Sequence, residues 1–225
     1  MPFKQYLDEV SRKVHQAPFN TDSQRALSKK GYTFSILPVT KQIQVWDYVW
    51  KNGKSFWIVV QAFFYCERLL KKDDDLRLIW PTVKKWQNYV TGWGLCDSLS
   101  KIYSKILELD PDTVLPVLTK WNHSTDPWKR RQSIVSLLYY NSVRKSVLPF
   151  DEILSRVDSL IADEDYYVQK GIGWTLRELY RAYPEPTVKY LLRHAQAISA
   201  TAFPTVRVVL KKKEQETLKQ LRKRK

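Results

Sequence analysis

Three short segments hold the side chains whose types and spacing could do chemistry. In the first, Trp93 and Asp97 lie four residues apart. That spacing places an indole and a carboxylate on one helical face if the helix has begun by then, and at one helix start otherwise. In the second, Trp128 and Arg131 are three apart and adjacent in the same sense. In the third, Tyr167, Lys170, Trp174 and Arg177 recur at i, i+3, i+7 and i+10, a continuous stripe of aromatic and cationic groups. A stripe bound for a core would not carry two cations. Rings interleaved with cations suit a polyanion. The planar donor fork of Arg131 fits a phosphate oxygen, and Tyr167, Lys170 and Arg177 suit neighbouring phosphates. A lone Asp97 is open chemically: its type caps helices, pairs with cations or serves as a catalytic carboxylate.

Plainer readings of the same residues set the bounds. Nine tryptophans cannot all be functional, and Trp46, Trp50, Trp57, Trp80 and Trp86 read as core or inter-helix packing. Arg131 and Arg177 have Glu178 and Asp165 as alternative partners. Against this stands the charge. The 225 residues hold 38 Lys and Arg against 23 Asp and Glu, a formal +15, which points to a polyanionic partner, nucleic acid first, through counterion release and steering. Hydrophobic residues at 44% and aromatics at 13% are ample for a packed interior. Cys66 and Cys96 are too few for a disulfide scaffold and read as buried thiols of a reducing compartment. MPFKQYLDEV lacks an uninterrupted apolar stretch, and nowhere do about 18 apolar residues run together, so neither export nor membrane spanning is expected, and a cytoplasmic monomer is.

The elements that must position these residues are helices. Glycine is scarce and apolar residues recur at three and four spacing rather than in alternation. Helices are predicted over 42–50 and 56–70 around Asn52-Gly53, and over 76–90, opened by Trp80-Pro81. Further on, 96–109 ends at Asp110-Pro111-Asp112, 113–121 ends at Asn122-His123-Ser124, and 128–142 follows Asp126-Pro127. Helices over 150–162 and 166–183 flank Asp163-Glu164-Asp165, and Pro184 and Pro186 stop the second.

Residues 91–97, 126–131 and 165–170 look like copies of one capped helix start, beginning 35 and then 39 residues apart. That period is near the one for two-helix HEAT-type repeats. The expectation is an all-α fold, an α-solenoid of HEAT-like repeats with a basic concave groove. One domain spans residues 1–210, and a solvated basic tail spans 211–225, adding nonspecific DNA affinity. Stacked repeats would bring the three starts onto one surface, their amides facing anions.

TGWGLCDSL (91–99), DPWKRRQSIV (126–135) and YYVQKGIGWTLRELY (166–180) resemble the bacterial AlkD-type DNA-alkylation-repair glycosylases, which are HEAT-like-repeat proteins. The resemblance covers roughly residues 76–185, and the Gln-Lys-x-Ile-Gly-Trp-x-Leu-Arg-Glu run is its most specific part. By this resemblance Trp93, Asp97, Arg131 and Trp174 surround a damaged nucleotide. The implied reaction is hydrolysis of the N-glycosidic bond of N3- or N7-alkylated purines in double-stranded DNA, without metal or other cofactor. It also implies action without a base-extrusion pocket, so that bulky adducts are accepted. The sequence departs from the family at Gly94, where relatives commonly carry Asp, and over Phe34 to Thr40, where they have a Gly-containing turn followed by Pro and Arg.

In such a site Asp97 would stabilise the oxocarbenium character of the sugar and orient water, while Trp93 and Trp174 pack against the cationic nucleotide. Two rival readings use the same charge: a non-enzymatic binder of damaged or branched DNA, and a protein-binding scaffold. The scaffold predicts weak, salt-insensitive DNA binding, which +15 argues against.

Overall fold

A computed structural model describes residues 3–139 and 144–223. Among them every regular element is a helix. Twelve-residue α1 (Lys4–His15) pairs with α2 (Thr21–Lys30), and α3 (Val39–Asn52) with α4 (Phe56–Arg68). Then come α5 (Asp73–Trp86) and α6 (Trp93–Leu109), α7 (Pro111–Asn122) and α8 (Pro127–Leu138), α9 (Phe150–Asp158) and α10 (Tyr166–Ala182), α11 (Pro184–Arg193) and α12 (Phe203–Arg207). A final α13 (Lys212–Lys223) closes the chain. The second helices of the pairs begin at 21, 56, 93, 127, 166 and 203, intervals of 35, 37, 34, 39 and 37 residues. The period predicted from three starts therefore runs through six.

Capping explains where these helices begin. Asn20 accepts from the Ser23 amide, Ser55 from Ile58, Asp126 from Trp128, and Asp165 from both Tyr167 and Val168. Pro127 and Pro184 stand in the first turn, where a missing N–H costs nothing. Pro184 thus opens α11 as well as ending α10. Pro81 does not open a helix. Asp73, Asp74 and Asp75 crowd the first turn of α5, where the helix dipole favours carboxylates, and Pro81 sits inside it. The end of the helix predicted over 128–142 falls partly on residues 140–143, outside the described residues, and α8 is helical to Leu138.

The chain divides into two compact units, the first ending at Ile102 and the second starting at Tyr103. The first is built on aromatic rings. Trp46, Phe34 and Tyr32 pack together, with Phe34 and Trp46 ring centres 5.0 Å apart, and Trp50 stacks on Trp86 at 4.6 Å. The Trp86 indole donates to Asp47 and the Trp50 indole to the Trp86 carbonyl, so neither N–H is stranded. The predicted core role of Trp46, Trp50, Trp80 and Trp86 holds, while Trp57 is half-buried. Cys66 and Cys96 are buried and form no disulfide. Burial pushes the Cys66 thiol far up, which keeps it protonated and inert.

In the second unit Ile106, Leu118, Ile134, Leu138, Ile172, Leu176 and Leu191 form an aliphatic core to which Tyr103, Trp121 and Tyr190 add buried rings. Two glycines of α10 set its packing. A Cβ on Gly171 would lie 3.2 Å from the Arg131 stem, and one on Gly173 would lie 2.3 Å from the Ala202 carbonyl oxygen. Their absence lets α8 and the start of α12 reach α10 closely. The charge run after 210 is helical, with an exposed outer face and one buried residue on the other. Residues 212–223 are α13, with Leu218 buried and the Arg222 guanidinium over the Phe203 ring at 4.5 Å.

Candidate nucleic-acid interface

Trp93 is the first residue of α6, three residues before the predicted start, so Trp93 and Asp97 stand one turn apart on one face. The indole is 60% exposed and Asp97 is half-buried. An exposed ring that large, next to a partly shielded carboxylate, is not how a core uses either residue. Beside them Gly94 leaves room for another ring. The Phe56 edge lies 3.2 Å from where a Cβ on Gly94 would be. The missing Asp of the family pattern thus coincides with an aromatic packed into its place.

In the second unit the remaining predicted residues form two groups on α8 and α10. Trp128, in the first turn of α8, meets Tyr167 of α10 with ring centres 4.9 Å apart and a 36° tilt. Further along α10, Trp174 stacks on Tyr139 at 5.3 Å, and the Arg177 guanidinium lies 5.4 Å from the Trp174 ring centre. Lys170 stands over Tyr166 at 5.8 Å, and both Tyr166 and Tyr167 are exposed. Within the stripe read from spacing Arg177 meets the Trp174 ring, whereas Lys170 meets Tyr166, the neighbour of Tyr167.

Arg131 is placed differently from an open phosphate clamp. It is only 5% exposed, and its Nη1 donates to the Tyr167 carbonyl at 2.8 Å. The guanidinium ties α8 to the first turn of α10 and so fixes the backbone that carries Tyr167. Arg177 shows the alternative foreseen for it, an ion pair with Glu178 at 3.1 Å. Arg181 shares the same buried carboxylate at 2.6 Å.

The loops that launch α8 and α10 are locked by residues that spacing arguments passed over. Arg130 forms a two-pronged pair with Asp163, at 2.5 and 3.2 Å, and donates to the carbonyls of Ser124 and Thr125. The hydrogen bond to Asp163 holds its guanidinium even more firmly protonated than usual. Gln169 reaches back to the Ile161 and Asp163 carbonyls. In the first unit Glu67 accepts from Lys101 at 2.5 Å and Arg25 at 2.8 Å. Burial pushes its carboxyl up, but the bonds from Lys101 and Arg25 outweigh that and leave it below the usual range.

Among the described residues no three or more His, Cys, Asp or Glu gather into a group that could hold a metal ion, and no helix is long and apolar enough to cross a membrane. Sequence reasoning missed Phe56. Its signal was present, because Ser55-Phe56-Trp57 stands one repeat interval before Trp93 and puts aromatics at a capped start.

Two solved structures share this helical fold over almost their full lengths. Smu.31 from Streptococcus mutans UA159 matches with a TM-score of 0.56 and 19% identity, covering 99% of this chain and 98% of that one. AlkD2 from Streptococcus mutans matches with a TM-score of 0.58 and 18% identity, at the same coverage. No curated protein matches in sequence. The family model described as DNA alkylation repair enzyme matches residues 20–205, and the chain therefore belongs to the DNA alkylation repair enzyme family.

Proposed function

We propose that the chain is a DNA glycosylase that hydrolyses the N-glycosidic bond of cationic N3- or N7-alkylated purines in duplex DNA. The observation that carries this reading is the α6 start, where an exposed Trp93 and a half-buried Asp97 share one face. Family membership supports a repair role on DNA. Alkylation at N3 or N7 gives the base a positive charge, so it departs as a neutral purine and needs no acid to protonate it. The electron pair of the C1′–N bond goes to the purine ring, and positive charge passes to the deoxyribose. Asp97 stabilises that charge and orients a water, whose oxygen bonds to C1′ as its proton is released. The products are free purine and an abasic site.

Trp93 offers a π-face to the cationic nucleotide. In the second unit Lys170, Arg177, Tyr167 and Trp128 hold the DNA backbone, and Trp174 presents a ring whose stacking on Tyr139 fixes its orientation. Arg131 is a positioning residue: through the Tyr167 carbonyl it holds the start of α10. The experiment is release of free base from DNA treated with a methylating agent and, separately, with a bulky alkylating agent, followed by chromatography. The reading predicts release of both methyl and bulky N-alkyl purines. Release of neither, with duplex still bound, would assign the chain to the non-enzymatic binders of damaged DNA.

A further inference from the structure

Beside the α6 start lies a cleft of about 370 Å³. Its floor is Trp50 and Val59, and its walls include Lys51, Lys54, Phe56 and Tyr89, with Gly92, Gly94 and Leu95 on the α6 side. The size falls at the lower end of small-molecule sites, about 300–1,000 Å³. Three features narrow the occupant. No carboxylate lines the cleft, whereas two lysines do, and Lys54 enters no ion pair among the described residues, while Lys51 is tied to Asp47 at 2.6 Å. Two partly exposed rings stand at its edge, Phe56 43% and Tyr89 44% exposed, with Phe56 also meeting Trp57 edge-on at 5.1 Å between ring centres. The wall residues Gly92 and Gly94 flank Trp93 in the chain, so the cleft adjoins the backbone that carries the proposed DNA-facing indole.

We propose that this cleft receives one unpaired nucleotide of the bound DNA, its base stacked on Phe56 and Tyr89 and its phosphate held by Lys54, with Lys51 behind. A planar ring system between two aromatic edges and an anion beside a lysine is the chemistry of one nucleotide unit. The absence of a side chain at Gly94 is part of the site, because the Phe56 ring edge occupies that space. The inference rests on the proposal that this chain acts on DNA, and assigns to its first unit a preference for duplexes that carry an unpaired residue.

The test uses the full-length protein and two fluorescently labelled duplexes of equal length, one fully paired and one with a single 2-aminopurine bulge. Stacking of one base is worth a binding factor of roughly 5- to 150-fold. Wild type should therefore bind the bulged duplex tighter by about that factor and quench the 2-aminopurine. Phe56→Ala should lose both effects and keep its affinity for paired duplex, and Phe56→Tyr should restore them. Lys54→Ala should flatten the salt dependence of bulge binding by about one unit. Because Phe56 is partly exposed, a melting curve on Phe56→Ala checks that the fold is intact, and the Tyr variant carries the test if it is not. Equal affinity for both duplexes without quenching overturns the cleft assignment while leaving duplex binding and base release standing. Failure to bind either duplex overturns the DNA reading itself and this proposal with it. Displacement of the bulge by free deoxynucleoside monophosphate at equal concentration would make a free nucleotide the occupant and also refute the proposal.

Discussion

Replacing Arg131 with alanine separates a residue that touches DNA from one that shapes the surface touching it. The side chain is 5% exposed and its Nη1 donates to the Tyr167 carbonyl at 2.8 Å. Losing a hydrogen bond from a charged group costs about 1.5–3 kcal/mol. Its stem, packed where a Cβ on Gly171 would be 3.2 Å away, adds about 0.8 kcal/mol for each methylene removed from burial. With two methylenes lost, these give a destabilisation of about 3–5 kcal/mol, a fall in Tm of roughly 6–20 °C for a chain of this size. The salt slope of DNA binding, measured by anisotropy across a salt titration on folded protein, should change by well under the ~0.9 unit that one lost phosphate contact gives. An unchanged melting temperature together with a slope lowered by a full unit would show that Arg131 faces a phosphate directly and that its buried placement is wrong.

Gly173→Ala puts a Cβ 2.3 Å from the Ala202 carbonyl, a backbone atom that cannot swing aside, so it should destabilise by about 3 kcal/mol or more, while Gly171→Ala, meeting the Arg131 stem, should cost under about 1.5 kcal/mol; comparable melting shifts for the two would contradict the packing. Glu67 titrates below its ordinary range in the fold, so its stabilisation is present at neutral pH and fades as the pH falls below the usual carboxylate range and through its lowered value. Glu67→Gln should lower stability at pH 7 by about 1–3 kcal/mol and flatten that acid limb, and parallel limbs for the two proteins would refute the linkage. Trp174→Ala removes a half-buried ring stacked on Tyr139, so thermal unfolding should register only about 1–2 kcal/mol while base release falls at least tenfold; a stability loss without a rate loss would make Trp174 structural.

Much of this arrangement is legible in the chain because helix starts carry local chemistry. Asp126-Pro127 and Asp165 announce α8 and α10 by side-chain capping, and the Tyr167-to-Arg177 stripe needs only the helical repeat. The start of α6 at Trp93 was harder to place, since Gly92 before it offers no capping side chain. Asn20 and Ser55 cap α2 and α4 without the Asp that marks α8 and α10, and α12 has no side-chain cap. Lys212 to Lys223 reads as a solvated run by composition, yet Leu218 is buried and Arg222 reaches the Ala195 carbonyl. Tertiary contacts decide such a segment, and charge counting does not see them. The burial of Arg131 was illegible for a similar reason. Its spacing from Trp128 fixes adjacency on α8, whereas its fate depends on Gly171, forty residues later, leaving space for its stem.

We propose that the Asp97 carboxylate assists the breaking of the glycosidic bond. Single-turnover release of N7-methylguanine from methylated duplex, measured beside duplex affinity for wild type and Asp97→Asn, tests it most directly. The substitution keeps size and removes the charge, so release should fall by about 100-fold or more, the scale seen when one stabilising group is lost from a transition state, while affinity stays within a few-fold. Equal rates for the two proteins would remove Asp97 from the chemistry and the glycosylase reading with it.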